Sequence, residues 1–259
     1  MRYELLGSLR VMGDGGVHAL SARKKEILLA TLLIRAGQVV TKDQLVDELW
    51  GDKPPSRSTA ALHVYISQLR GFLPCRDRER SPIVTRSSGY LLELGEDELD
   101  FQIFQRLTIQ GRGHARAQRY EQAVGCFDQA LALWRGPALG GLKEGRIVSG
   151  FATWLEELQL ECVELNVTSN LALGRDHELI GLLYSLILEH PLHEAFYQGL
   201  MAALYRVGRR GDALQVYRRA REVLRRDLGI EPCRQLRDLH QTILAAEDDL
   251  GSSLVRMSG

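Results

Sequence analysis

The residues of this chain that are best suited to chemistry lie on one side of a segment near residue 60. Successive side chains of a helix are rotated by about 100°, and this rotation brings Val64, Ser67 and Gln68 onto one face. An amide can bond an adenine edge at two positions, and a valine can contact a thymine methyl group. No acidic residue occurs between residues 54 and 76. The pattern therefore predicts a surface that reads bases in the major groove of DNA.

Basic side chains surround this predicted reading face. Arg57, His63 and Arg70 lie where DNA phosphates could be reached. Arg86 precedes a Ser-Ser-Gly turn, and an arginine at such a tip can enter the minor groove. The alternative interpretation is an ordinary solvated helix face, which usually carries more Glu and Lys than this one. The full predicted DNA-binding set is Thr41, Lys42, Arg57, Thr59, His63, Val64, Ser67, Gln68, Arg70 and Arg86.

An apolar stripe on the same helix must hold the reading face outward. Leu62, Ile66, Leu69 and Leu73 fall on the other side at spacings of three and four residues. This is the pattern of a helix that packs one face against a core. The helix is predicted over residues 56–73.

The elements around this helix complete a recognisable order. Short strands are expected before residue 20, followed by a helix over 22–36 with Ser21 as its N-cap. Thr41 and the glutamine three residues later have capping-box spacing, which predicts the start of a second helix. A β-hairpin is expected over 83–94. Strands, three helices and a hairpin predict an α+β winged-helix DNA-binding domain over residues 1–95.

Beyond residue 100 the pattern becomes helical and repeats itself. Gly174 and Gly208 are 34 residues apart, and Leu179 and Ala213 keep the same spacing. A period of about 34 residues is that of the tetratricopeptide helix pair. A further copy is expected over 120–131.

The predicted architecture is therefore multidomain and mainly α. An all-α tetratricopeptide-like repeat domain is expected over 96–250, and a flexible tail over 251–259. The chain has zero net charge, but residues 1–95 carry 14 basic against 10 acidic side chains. The remainder carries 19 against 23. This asymmetry favours a basic partner-binding domain followed by a neutral-to-acidic second domain.

Several other function classes lack support in the sequence. His190, His193 and Glu194 do not have the H-E-x-x-H spacing of zinc enzymes, and no glycine-rich phosphate loop follows a strand. We therefore expect no enzyme, no metal and no cofactor. No apolar run approaches the roughly 18 residues needed to span a membrane. The N-terminus lacks the features of a signal peptide, so a cytoplasmic protein with no membrane partner is expected.

Two stretches carry a resemblance to a known family. SRSTAALHVYISQLRGFL followed by IVTRSSGYLLEL resembles the recognition helix and wing of OmpR-type winged-helix domains, the effector domains of two-component regulators. HPLHEAFYQGLMAALYRVGRRGDALQVYRRAREVLRRDLGIEP resembles the bacterial transcriptional activator domain. In this order, over roughly residues 2–248, the two resemble the Streptomyces antibiotic regulatory protein family.

The resemblance implies a transcription activator of an antibiotic or other secondary-metabolite gene cluster. Such activators bind direct repeats near promoters and contact RNA polymerase, including its sigma subunit. The DNA-contacting positions of the pattern match Val64, Ser67, Gln68, Arg70 and Arg86. Gln68 stands where related helices often have arginine, so the resemblance does not carry over to the exact bases that are read.

The number of base contacts predicts how many protomers bind. One bidentate contact supplies about 1–3 kcal/mol of discrimination, which is too little to find a promoter among about 10⁶ competing sites. Two protomers head to tail, as a tandem homodimer on direct repeats about 10–11 bp or a multiple of this distance apart, would supply the difference. Two alternatives stay open at this point. One is an adaptor whose repeats bind a protein, and the other is a regulator that binds a small ligand in its repeat domain.

Overall fold

The computed structural model describes the backbone of residues 1–13, 15–73 and 81–256. It describes the side chains of these residues up to residue 245. The described chain divides into two compact units. The first comprises residues 1–110 and 126–162, and the second comprises residues 111–125 and 163–259.

The first 99 residues hold all the strands of the described chain. In order, these elements are β1 (Arg2–Glu4), β2 (Arg10–Gly13), β3 (Gly16–Ala19), α1 (Arg23–Ile34), β4 (Val40–Thr41), α2 (Lys42–Trp50), α3 (Ser58–Phe72), β5 (Ile83–Thr85), β6 (Gly89–Leu92) and β7 (Glu98–Leu99).

Helices account for the regular structure that follows. They are α4 (Asp100–Arg116), α5 (Tyr120–Leu131), a short 3-10 helix (Ala138–Gly141), α6 (Arg146–Ala172), α7 (Asp176–Glu189), α8 (Glu194–Arg206), α9 (Arg210–Leu228) and α10 (Arg234–Arg256). The predicted fold class, an α+β winged helix followed by an all-α domain, is confirmed. No helix of the described residues is long and apolar enough to cross a membrane.

Two sheets frame the winged helix of the first unit. Four strands pair in the order β3-β2-β1-β7, with β7 parallel to β1 and the other pairs antiparallel. β4, β6 and β5 form a second, antiparallel sheet in that order. Helix α1 lies at the centre and is buried from Ile27 to Leu33, as its apolar sequence predicts for a helix surrounded by protein. It contacts α2, α3 and β6.

The two predicted helix starts have different outcomes. Ser21 as the N-cap of α1 is wrong, because Ala22 occupies that position and no side chain caps the helix. The carbonyl of Ala22 accepts from Lys25 N and Glu26 N, which places Ser21 one residue too early to reach the first free amides. The capping box at Thr41 is confirmed. Its hydroxyl accepts from Gln44 N at 3.2 Å, and the Gln44 side chain accepts from Thr41 N at 3.0 Å.

The first unit extends beyond residue 95, where the sequence predicts a domain boundary. Asp100 accepts hydrogen bonds from Leu5 N at 2.8 Å and from Leu6 N at 3.0 Å. The carboxylate is buried, and this burial raises its pKa even though the two amides favour the charged form. Arg135 N donates to Leu6 O and Leu139 N donates to Leu5 O, both at 2.9 Å. Residues from beyond the predicted boundary therefore complete the hydrogen bonding of the chain that follows β1.

The second unit has the core that its repeat predicts. Helices α7, α8 and α9 pack in succession, and α10 packs against α8 and α9. Leu179 and Ala213, which are one repeat apart, are both buried, as are Leu186 and Ala220. The repeated positions are therefore core positions.

The end of the chain differs in part from the flexible tail predicted over 251–259. Helix α10 runs as far as Arg256, so the predicted start of the tail falls within a helix. Glycine and serine inside a helix cost about 1 kcal/mol or less each, which does not by itself end a helix. Residues 257–259 lie outside the described residues.

Candidate nucleic-acid interface

Helix α3 presents the predicted reading residues together on one exposed face. Leu62, Ile66 and Leu69 are buried on its inner side. The exposed side chains on the outer face are Ala60, Val64, Ser67 and Gln68, and the exposed Thr59 and His63 lie on one flank of it. Val64 is 52% exposed, so its methyl groups are accessible to a thymine methyl group. The separation of the two faces follows the period-3.6 pattern of the sequence.

Aromatic contacts fix the orientation of α3 in the first unit. The ring of Tyr65 stacks on that of Trp50, at the end of α2, with centroids 6.2 Å apart and planes inclined by 24°. Phe72 meets His18 of β3 edge to face at 6.4 Å. Such pairs contribute beyond the area they bury. The reading helix is therefore held near its middle and at its C-terminal end by neighbouring elements.

Arg70 has a structural role in addition to its predicted phosphate contact. Its Nε donates to Ile83 O at 3.1 Å and its Nη2 donates to Thr85 Oγ1 at 2.8 Å. The guanidinium group also lies over the ring of Tyr90, 6.0 Å from the centroid. These contacts attach the β5–β6 hairpin to α3, and Arg70 thereby sets the position of the wing relative to the reading helix.

The hairpin forms a tight wing that packs on β4. Arg86 N donates to Gly89 O at 2.9 Å, and Gly89 N donates to Arg86 O at 3.3 Å, which closes a two-residue turn. A Cβ atom on Gly89 would lie 1.9 Å from the carbonyl oxygen of Val40. Only glycine permits this approach. The contact depends on a residue 49 positions away, and the sequence analysis did not assign Gly89 this role.

The wing tip lies beside the N-terminus of α2. Lys42 N donates to the carbonyl of Ser88 at 3.1 Å, which brings Thr41, Lys42 and Arg86 into one part of the surface. The Thr41 hydroxyl is occupied by the helix cap. Of these three residues, Lys42 is the cation that lies next to the first free amides of α2. The start of a helix favours an anion, so this position suits a DNA phosphate.

Arg86 forms an ion pair that DNA could replace. Its Nη2 lies 3.2 Å from Glu93 Oε1, and both side chains are about half exposed, at 49% and 55%. An exposed pair of this kind contributes at most about 1 kcal/mol. Exchange of the Glu93 carboxylate for a phosphate therefore costs little. Glu93 is a second residue of the candidate interface that the sequence analysis missed, since only the hairpin pairing brings it to Arg86.

Arg57 occupies the N-cap position of α3 and is exposed. No side chain caps this helix, and its first turn contains no acidic residue. The free amides of the first turn and the Arg57 guanidinium group have the same sign of charge. The start of the reading helix thus suits a phosphate of the DNA backbone.

Comparison with known proteins matches two family models to successive parts of the chain. A model of the bacterial transcriptional activator domain matches residues 99–244. A model of the C-terminal domain of transcriptional regulatory proteins matches residues 18–92. The second match contains α1 to β6, which includes the reading helix and the wing.

Individual relatives resemble the chain over almost its whole length. Transcriptional regulator RedD of Streptomyces coelicolor is 37% identical over 94% of this chain and 70% of its own length. Regulatory protein DnrI of Streptomyces peucetius is 34% identical over 95% of this chain and 93% of its own. Among solved structures, Mycobacterium tuberculosis EmbR in complex with a low affinity phosphopeptide superposes with a TM-score of 0.87 at 33% identity. That match covers 95% of this chain but 65% of the EmbR chain.

Proposed function

We propose that this chain activates a biosynthetic gene cluster. The premise is that it belongs to the Streptomyces antibiotic regulatory protein family of DNA-binding transcriptional regulators. In this proposal two protomers bind direct repeats near the promoter, and the helical domain recruits RNA polymerase, including its sigma subunit. The observation that carries the proposal is the exposed, acid-free outer face of α3, a helix that begins after Arg57 and is joined to the wing through Arg70.

The chemistry of the reading face supports binding by more than one protomer. Gln68 is the residue of this face that can make a bidentate base contact, because Arg70 already holds the wing. One such contact distinguishes base pairs by about 1–3 kcal/mol. A promoter-specific regulator competes with about 10⁶ or more other sites. Two reading helices on adjacent half-sites supply the missing specificity.

A regulator that responds to a small ligand is the second candidate, and one feature favours it. The second unit contains a cavity of about 260 Å³ between α6, α8 and α10, lined mostly by apolar residues with Glu164 and Gln198. Typical small-molecule sites are about 300–1,000 Å³. The cavity is smaller than that range, which leaves direct activation as the better supported proposal.

Footprinting on the DNA upstream of the protein's own and neighbouring genes tests the proposal directly. Protection of two directly repeated segments, together with stimulated transcription in a reconstituted system, is the expected result. A protein that binds no DNA would be the adaptor of the alternative interpretation. Protection that requires an added metabolite would instead favour the ligand-responsive candidate.

Replacing Gln68 by alanine should relax sequence specificity more than it lowers affinity for DNA in general. Loss of a bidentate contact costs about 1–3 kcal/mol at one base pair, which is roughly a 5- to 150-fold loss of discrimination there. Gel shifts on a site series mutated one base pair at a time will measure this. Gln102→Ala is the matched control, since Gln102 is an exposed glutamine of α4 in the same unit. A uniform loss over all base pairs would contradict base reading by Gln68.

Arg86 and its partner Glu93 should affect DNA binding in opposite directions. Arg86→Ala should weaken binding and, if the contact is to phosphate, reduce the slope of log K against log salt by about one. Glu93→Ala should strengthen binding severalfold, because it releases the guanidinium group and removes a negative charge beside DNA. Both variants should keep the melting temperature of the wild type. Unchanged affinity in both would remove the wing from the mechanism.

A further inference from the structure

Four arginines of α9 line one depression on the surface of the second unit. Arg218, Arg221, Arg225 and Arg226 surround it together with Glu222, and its volume is about 500 Å³. All four arginines are exposed. We name these four arginines the basic groove. Residues 206–231 carry 8 arginines against 4 acidic residues, although the chain from residue 96 onward has a net negative charge.

The acidic partners of the basic groove are themselves exposed and replaceable. Arg221 pairs with Glu231 at 2.6 Å, and Arg225 lies 3.5 Å from the same carboxylate. Arg226 pairs with the adjacent Asp227 at 2.6 Å. Exposed pairs of this kind hold their partners weakly. The guanidinium groups can therefore turn to a larger anionic surface when one approaches.

Helix α6 carries a surface of the opposite charge in the first unit. Trp154, Glu157 and Glu161 are exposed and follow one another at spacings of three and four residues, which places them on one face. We name these three residues the acidic stripe. No lysine or arginine occurs from residue 147 to residue 174. The stripe therefore lies on a segment of uniformly negative charge.

Apolar side chains make the two surfaces complementary beyond charge. Leu228 and Ile230, which follow the basic groove along the chain, are 52% and 47% exposed. Trp154 of the acidic stripe is 40% exposed. Arginine binds well over an indole ring, and large exposed apolar side chains mark protein contacts. A DNA backbone would give Leu228 and Ile230 nothing to contact, so the basic groove fits a protein surface better.

The symmetry of tandem binding requires such a pair of unlike surfaces. Protomers on direct repeats are related by translation and a full turn of DNA, so each must contact its neighbour through two different patches. We propose that the basic groove of one protomer binds the acidic stripe of a second copy of this chain. The proposal rests on the head-to-tail binding proposed above. It adds to that binding the surfaces that make it cooperative.

Two charge-reversed variants test the contact. R221E/R225E reverses the basic groove, and E157R/E161R reverses the acidic stripe. Each variant alone places like charges opposite each other in the pair, so cooperativity on a DNA fragment with two half-sites should fall by about tenfold or more. Affinity for a fragment with one half-site should stay within about twofold, because neither surface contacts DNA in the proposal.

Mixing the two variants gives the sharper result. The intact acidic stripe of R221E/R225E can meet the intact basic groove of E157R/E161R, which forms one correct contact on two half-sites. An equimolar mixture should therefore recover most of the cooperativity that each variant lacks. The chain that carries all four substitutions should recover it as well. This recovery is specific to a contact between the basic groove and the acidic stripe, since a loss caused by damage to the fold of each variant would not be repaired by mixing.

The controls separate this contact from other uses of the same residues. R116E/R119E changes the net charge equally at exposed positions of the same unit and should keep full cooperativity. A melting temperature equal to that of the wild type confirms that each variant folds. If R221E/R225E does not fold, R221A/R225A takes its place.

Three results would overturn the proposal, and they differ from one another. Weaker binding of R221E/R225E to a single half-site would show that the basic groove contacts DNA. Lost activation with cooperativity unchanged would show that the groove serves another protein. Independent binding of wild-type protomers to the two half-sites would refute the tandem arrangement itself, and this contact with it.

Discussion

Five base pairs inserted between the two half-sites will abolish cooperative binding and activation, while a full-turn insertion of about 10–11 bp will restore part of both. Half a turn moves the second protomer to the opposite side of the duplex. The two protomers then cannot touch, and each must bind with the discrimination of a single α3 face. Since that face offers one bidentate residue, occupancy of the second half-site should fall by about tenfold or more at fixed protein concentration.

Quantitative footprinting and a promoter–reporter series, both with insertions of increasing length, will measure this effect. Fragments with one half-site destroyed give the intrinsic affinity, which the insertions should leave unchanged. Equal activity at half-turn and full-turn spacing would contradict the tandem model. A palindromic footprint would contradict it as well, because it requires a two-fold pair with like surfaces in contact.

The reading face was accessible to sequence analysis because its cause is local. Leu62, Ile66 and Leu69 repeat with the period of a helix, so their burial also sets the direction in which Val64 and Gln68 point. The capping box at the start of α2 is local in the same way, since its two partners are three residues apart. Patterns of this kind predict elements and faces with no knowledge of the fold.

The contacts that position the face were not accessible in that way. Arg70 looks like a free cation in the sequence, yet residues 13 and 15 positions away accept its hydrogen bonds. Glu48 looks like an ordinary polar residue of α2, yet it is buried and accepts from Ile147 N and Val148 N at 2.7 and 3.3 Å. No periodicity connects residues about 100 positions apart. The extent of the first unit beyond residue 95 escaped prediction for the same reason.

The Glu48 contact has a consequence that Gly145→Ala will expose. The two amides that Glu48 accepts from belong to the first turn of α6, so its carboxylate caps that helix. A Cβ atom on Gly145 would lie 2.0 Å from Glu48 Oε2, and the residue has φ +79°. The substitution must therefore expel the carboxylate in addition to straining the backbone. We expect it to lower the free energy of unfolding of the first unit by about 3 kcal/mol or more.

Gly141→Ala separates steric expulsion from backbone strain. Gly141 has φ +77° and no atom within 4 Å of an added Cβ, so strain alone should cost about 1–2 kcal/mol there. Denaturant unfolding of both variants, and of Gly145→Ala combined with Glu48→Ala, completes the comparison. The combined loss should be smaller than the sum of the single losses, because removal of the Glu48 side chain also removes the clash.

DNA affinity should fall with Gly145→Ala as well, since α2 also carries Trp50, which holds Tyr65 of the reading helix. Equal stability of the Gly141 and Gly145 variants would show that the Glu48 cap contributes nothing to this unit.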